Sequence, residues 1–136
     1  NARDGNGATP LHYAAEKAYI PIADLLLSNK ADPNIQDDDA DTPLHWAIKQ
    51  PSITYNLIKD KLIDLFELFI QHGASKDQLN VVKLLIQNGA HVNEKGMHGA
   101  TPLHYAADNV NTSIAGLLLS NKADPNIQDD DADTPL

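Results

Sequence analysis

An all-α solenoid of stacked helix-turn-helix units is the fold class this 136-residue sequence predicts, on the strength of two internal spacings. The stretch from Ala8 to Leu44 recurs from Ala100 to Leu136 at an offset of 92, with 30 of 37 positions identical. Within each copy the period is shorter. Thr9-Pro10-Leu11-His12 returns after 33 residues as Thr42-Pro43-Leu44-His45, and Thr101-Pro102-Leu103-His104 returns after 33 as Thr134-Pro135-Leu136. A unit of that length cannot bury a core alone, so its apolar stripe must be covered by its neighbour and stability is shared along the stack. The 42% apolar content is enough to form that stripe.

The elements follow in order within the first unit. Thr9 can cap a first helix through its hydroxyl, and Pro10 takes the first helical position, where a missing N–H costs nothing. Leu11, Ala14 and Ala15 supply its apolar face, and the two alanines let neighbouring helices approach closely. After a turn near Ala18 and Tyr19, Ile22, Ala23, Leu26 and Leu27 recur at i, i+1, i+4 and i+5. That is one face of a second helix, with Pro21 tolerated in its first turn. The run Asn29-Lys30-Ala31-Asp32-Pro33-Asn34 ends it, and Ile35 to Asp41 are polar and acidic.

The tetrapeptide Thr-Pro-Leu-His, followed by an aromatic residue and alanine and recurring at 33, is similar to the ankyrin repeat, and the resemblance covers nearly the whole chain. It implies an ankyrin-repeat solenoid with short β-hairpin-like fingers, residues 35–41 forming one finger that projects to the next unit. It also implies that the threonine and histidine of the motif, among them His12, His45 and His104, make structural hydrogen bonds tying one unit to the next. A metal or catalytic role for these three is the weaker reading, because they are equivalent across units. His72, His91 and His98 fall at unrelated positions and read as surface residues.

The middle of the chain loses phase. Thr42 and Thr101 are 59 residues apart, where two periods would give 66. An insertion of about ten residues within Gln50 to Lys61 and a deletion of 17 after Gly73 reproduce the shortfall of seven. The expected units are therefore about 1–33, 34–77 with an insertion, a truncated 78–92, 93–125 and a partial 126–136. Ile53, Leu57, Leu62, Leu65, Phe66 and Phe69 favour one long outer helix from Ser52 to His72 over a separate loop. Gln78 to Asn88 reads as a second helix without its hairpin partner, which would leave Leu84, Leu85 and Ile86 with little to pack against. Either the array holds a half unit here or residues of the natural protein are absent from this chain, the second being favoured. Neither end carries a polar capping unit, so the chain reads as a segment of a longer array.

Charge and composition narrow the function classes. A formal charge of −9 argues against nucleic-acid binding, since phosphate contacts need clustered Lys and Arg, and leaves a basic or neutral protein as the partner. No run is long enough to span a bilayer, no signal peptide is visible, and zero cysteines fit an intracellular protein, cytoplasmic or nuclear. The sequon Asn111-Thr112-Ser113 lies where two helices should turn and reads as unused. Asp37-Asp38-Asp39-Ala40-Asp41, repeated as Asp129-Asp130-Asp131-Ala132-Asp133, places alternate carboxylates as a calcium loop does. Position six is Thr42 rather than Gly and position twelve is Ile48 rather than Glu, so no metal is expected. Ser28, Ser75 and Ser120 have no base partner, and Gly5-Asn6-Gly7 lacks the helix and Lys of a phosphate loop. No catalytic residue and no cofactor follow.

The reading is a monomeric binding module rather than an enzyme. Tyr13, Trp46 and Tyr105 occupy the same slot after the motif, and the resemblance places that slot on a concave groove beside the finger. As a row they would anchor a partner, with Glu16, Lys49 and Asp108 one helical turn further; equally, the rings could pack as framework. Asp38, Asp39 and Asp41, with their copies Asp130, Asp131 and Asp133, would form an acidic rim steering a basic partner. The alternative is a structural or targeting arm of a larger multidomain enzyme or effector.

Overall fold

The computed structural model describes residues 1–49, 76–109 and 111–135. They form helices α1 (Pro10–Glu16), α2 (Ile20–Ser28), α3 (Pro43–Lys49), α4 (Lys76–Gln87), α5 (Pro102–Asp108) and α6 (Thr112–Ser120), with a 3-10 turn at Met97–Gly99. Helices pack as pairs, α1 with α2, α3 with α4 and α5 with α6. Across the stack α3 lies between α1 and α5, and α4 lies between α2 and α6. The result is two layers of short helices, as the repeat spacing predicts. Leu11, Leu44, Ile48, Val81, Leu85, Leu103, Ile114 and Leu118 fill the seam between them and are all but inaccessible.

Each first helix begins the same way. Thr9 and Thr101 hold extended backbone (φ −98 and −83) before a proline at the first helical position. The third helical residue folds back, so that His12 Nδ1 accepts the Thr9 N–H at 3.0 Å, His45 Nδ1 that of Thr42 at 3.0 Å, and His104 Nδ1 that of Thr101 at 3.0 Å. This is a capping box in which imidazole replaces the usual carboxylate. With Nδ1 accepting, Nε2 carries the proton and donates onward: from His12 to the Asp41 carbonyl at 3.0 Å, and from His104 to that of Asp133 at 2.9 Å. His45 Nε2 donates to Glu94 O at 3.0 Å and Ala100 O at 3.2 Å, tying α3 to the next connecting segment.

The fingers are tight loops closed like hairpins, and no strand forms among the described residues. Asp37 N–H donates to Asp41 O at 2.9 Å, Asp4 N–H to Ala8 O at 2.9 Å and Asp129 N–H to Asp133 O at 2.9 Å. Each loop is fastened from inside: Asp37 Oδ1 accepts the N–H groups of Asp39 (3.0 Å) and Asp41 (2.9 Å), as Asp129 Oδ1 does in its copy. Fingers rest on one another through Asp38 N–H to Asn6 O at 3.0 Å and Asp130 N–H to His98 O at 3.0 Å.

One expectation is corrected. The helix over 78–88 is not left without a partner: α4 lies against α3, and Gln78 Nε2 donates to Ala47 O at 2.9 Å. Val81, Val82 and Leu85 are fully buried between α2, α3 and α6. It ends as the other second helices do. Ala90 N–H reaches Leu85 O at 3.0 Å, matching Ala31 to Leu26 (2.9 Å) and Ala123 to Leu118 (3.0 Å). Spacing arithmetic set against 66 hid this, because Thr42 to Gly89 is 47 residues where Thr9 to Lys30 and Thr101 to Lys122 are 21. The inserted segment Gln50 to Lys61, the long helix expected from Ser52 to His72, and His72 and Ser75 themselves lie outside the described residues.

Candidate groove between the fingers and the first helices

Tyr13, Trp46 and Tyr105 stand one residue past the capping histidine on α1, α3 and α5, and their polar tips are all anchored to finger carboxylates. Tyr13 OH donates to Asp4 Oδ2, Trp46 Nε1 to Asp37 Oδ2 at 2.8 Å, and Tyr105 OH to Asp41 Oδ1 at 3.0 Å. Rings then stack edge to face along the array. Tyr13 meets Trp46 at 5.3 Å and 80°, His12 meets Trp46 at 5.2 Å and 71°, and His45 meets Tyr105 at 5.4 Å and 89°. The tips are fixed by the framework while ring surface stays accessible: Tyr13 is 42% exposed and Trp46 and Tyr105 are half-buried.

The acidic residues divide into two groups. Asp38, Asp39, Asp130, Asp131 and Asp133 are exposed, as a rim requires. Asp41 is fully buried and is not a rim residue; its Oδ1 accepts Met97 N–H at 2.9 Å and Tyr105 OH, while Oδ2 receives Lys49 Nζ at 3.0 Å. Burial pushes this carboxyl upward, but the Met97 N–H, the Lys49 ammonium and His45 outweigh it and hold it below the ordinary carboxylate range. Lys49 is accordingly Asp41's counter-ion. The reason lies in the facing finger, where Gly96 replaces the aspartate found at Asp4, Asp37 and Asp129. A Cβ at Gly96 would stand 2.2 Å from Asp41 Oδ1, so the missing side chain is the space the carboxylate fills.

Glu16 is half-buried at the end of α1, 3.8 Å from Lys17 Nζ, and Asp108 is exposed at the end of α5. Burial lowers the His12 and His45 pKa values, with Asp37 and Asp41 opposing at His12 and Asp41 and two carbonyls opposing at His45. Both rings are held neutral at neutral pH in a fixed tautomer, which suits a strut rather than a proton carrier. Burial also raises the Tyr105 phenol, with the Asp41 charge adding to it. Among the described residues no three His, Cys, Asp or Glu side chains converge as a metal site. Of the alternate carboxylates, Asp37 and Asp129 are turned into their own loops and Asp41 into the array, while Asp39, Asp131 and Asp133 are exposed.

Asn111 is buried and its Oδ1 accepts Ile114 N–H at 3.5 Å as the cap of α6, so the sequon's acceptor amide is built into a helix start. His91 and His98 are exposed, as expected. The sequence reading missed Asp4 and Asp37 as the partners of the aromatic slot, and Gly96 as the gap that admits Asp41. Their shared signal was the finger alignment itself, in which three positions carry aspartate and the fourth glycine.

Comparison with known proteins agrees with the geometry. The sequence model of a family described as ankyrin repeats (3 copies) matches residues 1–64 and 51–129. An ankyrin repeat protein of Fowlpox virus (strain NVSL) is 37% identical over 114 residues, covering 79% of this chain and 15% of that protein. Neurogenic locus notch homolog protein 1 of Xenopus laevis is 33% identical over 144 residues, covering 100% of this chain and 6% of its own length. The homolog of transient receptor potential cation channel subfamily A member 1 from Caenorhabditis elegans is 36% identical over 116 residues, 83% of this chain and 9% of the channel. The chain therefore spans between 6% and 15% of the length of these relatives. Among the described residues no helix is long and apolar enough to cross a membrane.

Proposed function

This chain belongs to the ankyrin-repeat family, whose arrays generally serve as protein–protein interaction modules, and on that premise we propose that it is a non-enzymatic binding module whose groove takes one segment of a partner protein. The carrying observation is the row of Tyr13, Trp46 and Tyr105, each pinned by a finger carboxylate with ring surface left to solvent. Rigid aromatic rings give contact area at small entropic cost, which is what binding anchors need. Glu16, Asp108 and the exposed Asp38, Asp39, Asp130, Asp131 and Asp133 surround them with negative charge, so a segment bearing Lys or Arg fits best. Asp41 and Lys49 support the row from beneath. The cysteine-free sequence supports an intracellular setting, and the module acts as a monomer.

The test compares partner capture by the chain, by Tyr13→Ala, and by a variant with Asp38, Asp39, Asp130 and Asp131 all changed to Asn, after circular dichroism shows all three folded. A partner lost with Tyr13→Ala and bound more weakly, with a shallower salt dependence, by the Asn variant supports the groove. Equal capture by all three makes the aromatic row framework. A second reading, an arm that positions other domains of a larger protein, is supported by the small share of each relative that the chain spans.

A further inference from the structure

Where one finger rests on the next, residues at equivalent places change identity together. Between the fingers of residues 1–8 and 34–41 the lower finger ends in Ala8, the helix after it carries Glu16, and the upper finger opens on Asp37. Between residues 93–100 and 126–133 the same three places hold Ala100, Asp108 and Asp129. Between residues 34–41 and 93–100 they hold Asp41, Lys49 and Gly96. A carboxylate has left the upper finger and stands on the lower one, and a cation has replaced the acid on the helix. The contacts follow this exchange. Asp4 accepts the Tyr13 hydroxyl and Asp37 accepts Trp46 Nε1 at 2.8 Å, so each of these rings is held by its own finger. Tyr105 has glycine at that place in its own finger, and its hydroxyl donates instead to Asp41 Oδ1 at 3.0 Å, 64 residues back along the chain.

We propose that Asp41 is the positioning residue for Tyr105 and that it forms one exchange set with Lys49 and Gly96, which moves the ring's anchor from its own finger to the preceding one. The arrangement at the other two places is an equivalent solution, and this one reverts to it when all three residues change together. The loop itself is unaltered, since Gly96 N–H closes on Ala100 O at 2.8 Å where Asp37 and Asp129 close their loops at 2.9 Å. A Cβ at Gly96 would lie 2.2 Å from Asp41 Oδ1, so a side chain at 96 and a carboxylate at 41 exclude each other. The same Cβ would lie 2.9 Å from the His45 ring, whose Nε2 is shared between Ala100 O and Glu94 O. His12 and His104 donate to the single carbonyl equivalent to Ala100 O, and reversion returns His45 to that geometry. The set also decides the charge beside the aromatic row: two carboxylates at each flanking place, but one carboxylate with the Lys49 ammonium at 3.0 Å here. The inference deepens the groove reading, since Tyr105 is one of its three rings. Its test uses no partner, so the exchange stands or falls separately from what the groove binds.

The experiment follows thermal unfolding of the parent, of Asp41→Ala, of Gly96→Asp, and of a reverted chain combining Asp41→Ala, Lys49→Glu and Gly96→Asp, each with and without Tyr105→Phe. Asp41→Ala removes the acceptor of the Met97 N–H, the Tyr105 hydroxyl and Lys49, and should lower Tm by about 6 °C or more. Gly96→Asp should fall at least as far or fail to fold, and the reverted chain should recover to within about 3 °C of the parent. The cost of Tyr105→Phe then reports where the anchor is. It should be about 4 °C in the parent, under about 1 °C in Asp41→Ala, and at least half the parent value again in the reverted chain, where the hydroxyl is held by the carboxylate introduced at position 96. A purely structural Asp41 would give no such return. A reverted chain no more stable than Asp41→Ala, or one in which Tyr105→Phe costs nothing, overturns the proposal. So does a Gly96→Asp chain as stable as the parent, or a parent indifferent to Tyr105→Phe.

Discussion

Lys30, Gly89 and Lys122 meet one requirement with different side chains: each closes a second helix in the left-handed region, at φ 67, 91 and 71. A β-carbon there costs roughly 1 kcal/mol, which glycine avoids. Lys30→Gly and Lys122→Gly are each expected to stabilise the chain by about 0.5–1 kcal/mol in urea unfolding, and Gly89→Ala to destabilise it by a similar amount. Gly96 is a different case, because its missing side chain is occupied by the bonded carboxylate of Asp41. Gly96→Ala should cost up to about 3–5 kcal/mol, the range for breaking a buried, paired charge. Titration adds a third expectation. His12 and His45 have folded pKa values below the ordinary 6.5, so their contribution is complete above that pH and is lost as pH falls toward the folded values. Asp41, also lowered, contributes above about 3.8 and is lost on further acidification. Urea midpoints should therefore fall in two stages, one beginning below pH 6.5 and a second beginning below pH 3.8.

At the scale of elements, α4 is the keystone, bearing on α1, α2, α3 and α6. Leu85→Ala should cost about 2–5 kcal/mol, the usual range for emptying a packed leucine site, whereas Leu119→Ala, at an exposed position in α6, should cost under about 1 kcal/mol. Comparable losses at the two sites would mean that α4 is not the shared support its burial indicates. The capping boxes explain how helices of seven residues persist when isolated ones of that length would not. Each start is fixed by threonine, proline and a histidine that spends its second nitrogen on the following segment. Thr101→Ala, which removes one cap hydroxyl from a buried site, is expected to cost about 1 kcal/mol.

At the scale of the whole molecule, the main contacts of each helix pair among the described residues are with its neighbours, so stability is a sum of unit and interface contributions. Amide exchange should consequently be slowest in α3 and α4 and faster in α2 and α6, which among the described residues have a covering pair on one side only. The same one-dimensional order sets the groove. Aromatic residues at equivalent places become a row because the units stack in register, and the acidic finger tips fall beside them for the same reason.

Much of this was legible in the residues alone. The period of 33, the proline after threonine and the apolar spacing of Ile22, Ala23, Leu26 and Leu27 determined the helices and their stacking, because those signals act within one or two turns of chain. The equivalence of Tyr13, Trp46 and Tyr105 was readable in the same way. Contacts between residues far apart in the chain were not. That Asp41 lies buried on Lys49, Met97 and Tyr105 rather than on the rim depends on a gap at Gly96, 55 residues away. That α4 belongs against α3 depends on which apolar face covers which, and spacing across the middle of the chain could not decide it. Local propensity and period specify the units; only packing between them decides which carboxylates face water and which hold the array together.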